Sequence, residues 1–279
     1  MRIIKAEKIR DIVKELCLEA NFSLRKDVLA ALKHAAKTEK NKRAKDVLRI
    51  LVKNAEIARN DKIAICQDTG MAVVFVDLGQ DVKIKGSLEK AINDGVRQAY
   101  AKGYLRKSIV NDPILRKNTK DNTPAIIHYK IVPGNKIKIS VLAKGFGSEN
   151  VSKTKMLKPT DGASEIISFV ADSVKEAGPD ACPPFIVGVG VGGTLDKAIT
   201  LAKEALFIPL DARNRQKHLA KLEKDIFAKV KKLCMGPMGF GGKYTALGVK
   251  VLAHPTHIAG LPVAVNISCH ALRTAEKNI

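Results

Sequence analysis

Three cysteines, Cys66, Cys182 and Cys269, stand alone and far apart in this chain, each in a turn-like context. If they serve one centre, the fold must bring the chain back to the same place three times. The first lies in Cys66-Gln67-Asp68-Thr69-Gly70, where a thiol, an amide and a carboxylate precede a glycine and an apolar strand. The second opens Cys182-Pro183-Pro184, which runs into Gly188–Gly193. The third closes Asn266-Ile267-Ser268-Cys269-His270. Three such thiols can act as the ligands of one metal centre. Five cysteines, an odd number with no Cys-x-x-Cys pair, argue against both a disulfide framework and a compact zinc knuckle. Of the other two, Cys17 shares a helical stripe with Ile9, Ile12, Val13 and Leu16 and reads as a core residue. Cys234 ends an amphipathic helix with Ile226, Val230 and Leu233. There a thiol often fills core space, although the adjoining glycine loop makes it a rival to Cys269 as third ligand.

With 46% hydrophobic residues over 279 positions, the chain can bury one large core or two lobes of one. No apolar run approaches the roughly 20 residues that span a bilayer, and charges occupy the N-terminus where a signal peptide would be apolar. The expectation is a cytoplasmic protein with no membrane partner. The net charge of +21 raises nucleic acid as a partner, but aromatics are only 4% and the lysines are scattered along amphipathic helices. A solvated lysine-rich surface is the better reading, and a basic nucleic-acid-binding protein is the non-enzyme alternative.

Helical periodicity runs over Ala6–Ala20, Leu24–Lys37 and Lys40–Arg59, predicting a helical lobe over about residues 1–60. An α/β lobe is expected over about 61–279, the two making a single domain over 1–279. Met71–Gly79 reads as a strand and Leu88–Gly103 as a helix. Ala125–Val132 and Lys136–Ala143 read as a pair of strands around the turn Pro133-Gly134-Asn135. Then follow a helix near Ala163–Ala177, a strand Phe185–Val191, helices Leu195–Leu206 and Arg215–Leu233, and strands Gly248–Ala253 and Val263–Ser268. Cys269 thus follows a strand, at an edge expected to face the site. The class is α/β, a mixed sheet covered by helices.

Glycine clusters at Lys144–Asn150, Gly188–Gly193 and Gly236–Gly242 could each present backbone N–H groups to an anion. Gly188, Gly190 and Gly193 also match G-x-G-x-x-G, with Asp211 beyond them. That supports a nucleotide-dependent oxidoreductase as an alternative, but Pro183 and Pro184 leave little room for a long central strand before the loop. More plausible there is a backbone that approaches a group placed by Cys182. Gly236–Gly242 reads equally well as a tight turn.

An iron-sulfur cluster held by three protein thiolates leaves one iron open as a Lewis acid, able to bind a carboxylate and a hydroxyl together. Asp68, two residues from a thiol, is then a proton-transfer candidate, its plainer role being a turn carboxylate. Arg106, after a predicted helix, offers bidentate geometry to a dicarboxylate; alone it is an ordinary helix-end arginine.

Taken in order, Cys66–Gly70, Lys144–Asn150, Cys182–Pro184 with Gly188–Gly193, Gly236–Gly242 and Leu261–His270 resemble the class I fumarase and tartrate dehydratase family, in particular the alpha subunit of its two-subunit form. The resemblance covers about residues 1–275. It implies an iron-sulfur hydro-lyase with a 4Fe-4S cluster on Cys66, Cys182 and Cys269, and substrate contacts from Gln67, Asp68, Arg106 and the backbone of Gly147. Asp68 is implied as the proton-transfer carboxylate. Phe146 stands where the family usually has another glycine. Further arginine, lysine and threonine groups lie in a C-terminal domain of the single-chain enzymes, whereas this sequence ends ten residues after Cys269. A beta subunit is therefore expected to complete the site, in an alpha2-beta2 complex. The expected reaction interconverts malate and fumarate; L-tartrate dehydration is the alternative within the family.

Overall fold

Apolar spacing sets the long helices in the computed structural model, which describes residues 1–279. In chain order the elements are β1 (Arg2–Lys5), α1 (Ala6–Phe22), α2 (Lys26–Thr38), α3 (Lys42–Asp61), β2 (Met71–Gly79), β3 (Val82–Lys85), α4 (Leu88–Lys102), β4 (Ile126–Val132) and β5 (Ile137–Lys144). There follow α5 (Phe146–Glu149), β6 (Lys153–Leu157), α6 (Gly162–Ala177), β7 (Phe185–Gly192), α7 (Leu195–Ala205), α8 (Lys217–Lys231), β8 (Ala246–His254), β9 (Leu261–Ser268) and β10 (Thr274–Asn278). The chain is a mixed α/β protein, and no helix is long and apolar enough to cross a membrane.

These elements form two compact units. Met1–Arg25, Asn54–Phe146 and Arg273–Ile279 make the first; Lys26–Lys53 and Gly147–Leu272 make the second. The residues expected to form one helical lobe are therefore divided, α1 going to the first unit and α2 to the second.

In the first unit a four-stranded sheet runs β10-β5-β2-β4, with β2 parallel to β4 and antiparallel to β5. Ile9, Val13 and Leu16 of α1 and Ile92, Val96 and Tyr100 of α4 bury against Val74, Val76, Ile139 and Val141. Each such aliphatic side chain contributes about 1.5–3 kcal/mol by leaving water. Gly95 lets the two helices touch, since a Cβ there would stand 2.6 Å from the Arg10 carbonyl oxygen. Ser87 caps α4 by accepting from the Lys90 N–H at 3.3 Å. A parallel two-stranded ribbon, β1 with β3, completes the unit.

The strands around Pro133–Asn135 do not pair with each other: β2 lies between them. Their connecting turn instead receives the end of β2, where Gly79 N–H donates to Lys136 O at 2.9 Å and Asp81 N–H to Gly134 O at 3.0 Å. The apolar run Ala72–Val76 is buried on both faces and takes the central position, which a hairpin of β4 with β5 would deny it.

In the second unit the sheet order is β6-β9-β7-β8, with β7 parallel to β8 and antiparallel to β9. Helices α6 and α8 cover one face through Ile166, Val170, Leu222 and Ile226. On the other face, Ala198 and Ala202 of α7 rest against Ala264. The glycine fingerprint finds its use here. Gly188 and Gly190 lie inside β7, where a Cβ would meet the Ala202 and Ala198 carbonyl oxygens at 2.1 and 2.0 Å. They seat α7 against the sheet instead of forming a loop over a phosphate or a bound group, so the nucleotide reading loses its structural basis.

Candidate active site

In the first unit, strand register assembles the Cys66 region. β2 and β5 are antiparallel with Met71 opposite Lys144, so the start of one lies beside the end of the other. The Cys66–Gly70 turn therefore borders the Lys144–Phe146 segment. Gly70, at φ 75°, leaves no room for a side chain: a Cβ would stand 2.8 Å from the backbone of Ala143 and Lys144. Asp68 is half-buried, and its two carboxylate oxygens accept from Gly70 N–H at 2.9 Å and Phe146 N–H at 2.8 Å. The second bond uses backbone, so a phenylalanine at 146 does not remove it.

Three buried donors then hold the carbonyls of this turn. Arg273 donates to Asp68 O. The Tyr100 hydroxyl lies 2.7 Å from Thr69 O and 3.0 Å from Gly70 O. Asn122 Nδ2 donates to Gly70 O at 3.2 Å. In the other direction, the Thr69 hydroxyl donates to Arg106 O at 2.9 Å, placing the backbone of the exposed Arg106 against the motif. Gln67 is exposed and Cys66 partly so, its thiol unpaired. None of Arg273, Tyr100 and Asn122 is legible in the sequence as part of a site. Burial raises the Tyr100 hydroxyl well above the usual phenol range, keeping it a donor.

In the second unit, pairing of Ile186 with Ser268 puts the segment before β7 and the segment after β9 at one end of the sheet. Cys182 and Cys269 occupy those two segments. β9 is an inner strand, so Cys269 lies past a strand end and not at a sheet edge. Cys182 adopts a left-handed conformation at φ 59° and precedes a cis Pro183–Pro184 bond. Its carbonyl accepts from the His270 N–H at 3.3 Å and faces His270 Nδ1 at 3.2 Å, so the two cysteine loops are tied by the residue after the second thiol. Behind Cys182, Met238 N–H donates to Pro183 O at 2.9 Å. The Gly236–Gly242 loop is thus a buttress, itself fixed where Lys243 N–H donates to the buried Glu39 carboxylate at 2.8 Å.

Gly147 is exposed, and a Cβ there would find its nearest neighbour, the Asp180 carbonyl oxygen, 3.9 Å away. No packing demands glycine at this position, unlike Gly70. Glu149 accepts from Asn266 Nδ2 at 2.9 Å and pairs with Lys203, joining the glycine loop to β9. These three residues line a cavity of about 250 Å³ that includes no cysteine.

None of the five cysteines forms a disulfide. Cys17 is in the core as expected, where burial pushes its pKa up to about 12. Cys234 departs from expectation: it lies beyond the end of α8, exposed, with φ 49°. The helix stops before it, so the thiol fills no core space. Neither unit alone gathers three His, Cys, Asp or Glu side chains in a metal-holding arrangement. Cys66 belongs to the first unit and the Cys182–Cys269 pair to the second.

Comparison with known proteins extends over nearly the whole chain. The family model described as fumarate hydratase (Fumerase) matches residues 10–278. A Methanocaldococcus jannaschii protein, provisionally named L(+)-tartrate dehydratase subunit alpha, is 40% identical over 279 residues, covering 98% of both chains. The L(+)-tartrate dehydratase subunit alpha of Escherichia coli K12 is 27% identical over 270 residues, 95% of this chain and 89% of its own.

Proposed function

The chain belongs to the fumarate hydratase (Fumerase) family, and from that premise we propose that it is the alpha subunit of a two-subunit hydro-lyase acting on a 2-hydroxy dicarboxylate, with L(+)-tartrate as the leading substrate. The observation that carries the reading is end-to-end similarity to chains named as tartrate dehydratase alpha subunits. Malate and fumarate, the motif-based expectation, remain the second reading, supported by the family description.

The donor set suits the cofactor the family implies. Cys66, Cys182 and Cys269 are partly exposed thiols on backbone turns, none of them in a disulfide, whereas Cys17 is sealed in the core. We assign these three as the ligands of a 4Fe-4S cluster. When bound, the cluster would supply an open Lewis-acid iron. Five cysteines without a disulfide also suit a reducing compartment, the cytoplasm in our reading.

The chain's own residues do the remaining work. Arg106 offers a forked cation to a substrate carboxylate, with Gln67 and the Gly147 N–H as neutral donors. Asp68 accepts one N–H on each carboxylate oxygen, leaving lone pairs with which to take a proton from the substrate carbon. The fixed carboxylate need not reorganise during that transfer. A beta subunit would supply the rest of the cationic site, and an alpha2-beta2 complex serving the whole 1–279 chain as one catalytic domain is the proposed assembly.

The test is turnover of anaerobically loaded alpha chain with its companion on tartrate, malate and fumarate. Dehydration of tartrate yields an enol that tautomerises to a 2-oxo acid, detectable with a carbonyl reagent. Tartrate should give the highest kcat/KM, and the alpha chain alone should be inactive. Full turnover by the isolated chain would contradict the two-subunit reading; preference for malate would select the second substrate.

A further inference from the structure

Arg273 is only 2% exposed, an unusual place for a cationic side chain. Its guanidinium spends its hydrogen bonds on backbone: Nε donates to Ala143 O at 3.1 Å and Nη1 to Asp68 O. The residue's own carbonyl accepts from Ala143 N–H at 3.0 Å, and the next residue, Thr274, pairs with Leu142 in the sheet. Arg273 therefore enters from the start of β10, across the end of β5, onto the turn that carries Cys66, Gln67 and Asp68.

Glycine at 145 follows from this arrangement. A Cβ there would stand 2.6 Å from Arg273 Nη2 and 3.1 Å from Asp68 Oδ2. The cation and the carboxylate thus flank one point on the backbone of the glycine loop. A buried cation costs free energy that an apolar side chain would not, and core filling gives no reason to bear it. Two fixed acceptors from separate segments give one, because a guanidinium holds its donors in a rigid planar fork, whereas an ammonium is a point charge on a flexible stem.

Resting on the function proposed above, we infer that Arg273 is a positioning residue for Asp68. Its guanidinium fixes the Asp68 peptide against the end of β5, and so holds the carboxylate in reach of the Gly70 and Phe146 N–H groups that orient it. It touches neither substrate nor cluster.

Two measurements on Arg273→Ala and Arg273→Lys test this. The first is hydrogen exchange on the alpha chain, with no need for turnover. Exchange at the Gly70 and Phe146 amides should quicken about tenfold or more in both variants, while the rest of the β2–β5 ladder stays protected. The second is kinetics of the cluster-loaded complex. Arg273→Ala should lower kcat by roughly 100-fold with KM and iron content little changed, as expected for a misplaced proton acceptor. Added guanidinium ion should restore part of that loss in Arg273→Ala and do nothing for wild type, and Arg273→Lys should not recover. Gly145→Ala, which crowds the same guanidinium, should reproduce the exchange change should Arg273→Ala fail to fold.

Unchanged exchange at Gly70 and Phe146 would overturn the inference, as would exchange that rises across the whole sheet. So would a kcat within about twofold of wild type, or iron loss in proportion to activity. If the wild-type complex turns over no hydroxy dicarboxylate, the proposed reaction fails, while the exchange data still decide whether Arg273 orients Asp68.

Discussion

The Cys66 turn and the Cys182–Cys269 pair solve one problem by different means. A turn with a single thiol has no second thiol-bearing loop in its unit to lean on. Its carbonyls are held by buried side chains, Arg273, Tyr100 and Asn122, drawn from three separate segments. The Cys182 and Cys269 loops share a sheet end, and their bond runs directly between them through His270. Fixing an isolated loop takes polar groups buried at some cost, whereas two loops on paired strands inherit their spacing from the ladder.

The sharpest way to break this comparison is to disturb the ladder. Gly190→Ala would drive a Cβ to 2.0 Å from the Ala198 carbonyl oxygen, so the second unit should lose about 3 kcal/mol or more in denaturant unfolding. A variant as stable as wild type would mean that α7 is not seated as described. Next in size, Tyr100→Phe removes the hydroxyl from the Thr69 and Gly70 carbonyls and should cost the first unit about 1–3 kcal/mol. No change there would show that the Cys66 turn holds itself. His270→Ala should cost about 1 kcal/mol, because strand pairing keeps most of the spacing. Larger destabilisation than from Tyr100→Phe would reverse the contrast. Smallest of all, Gly147→Ala should move stability by under about 0.5 kcal/mol, its Cβ position being open. Its effect should appear in KM, and a large stability loss would deny Gly147 a free face.

Periodicity exposed the long helices, and the apolar run at Met71–Gly79 exposed β2 with its bounds. Strands β1, β3, β6 and β10 were hidden because they are short and lysine-rich or charged, and gain their conformation from the partners they pair with. Losing β10 meant losing Arg273, since in sequence a buried arginine looks like any other. The motifs carrying Cys66, Cys182 and Cys269 were legible as chemistry. The glycines at 188 and 190 had the spacing of a phosphate loop and the job of seating a helix, a distinction that only the position of α7 makes. A core place for Cys234 fails because α8 ends at Lys231, before the thiol could reach the core.

Iron and sulfide bound per chain after anaerobic reconstitution, compared across single cysteine-to-serine variants, test the central claim most directly. Cys66→Ser, Cys182→Ser and Cys269→Ser should each lose the cluster, while Cys17→Ser and Cys234→Ser should load like wild type. Loss in Cys234→Ser with a full cluster in Cys269→Ser would contradict the account.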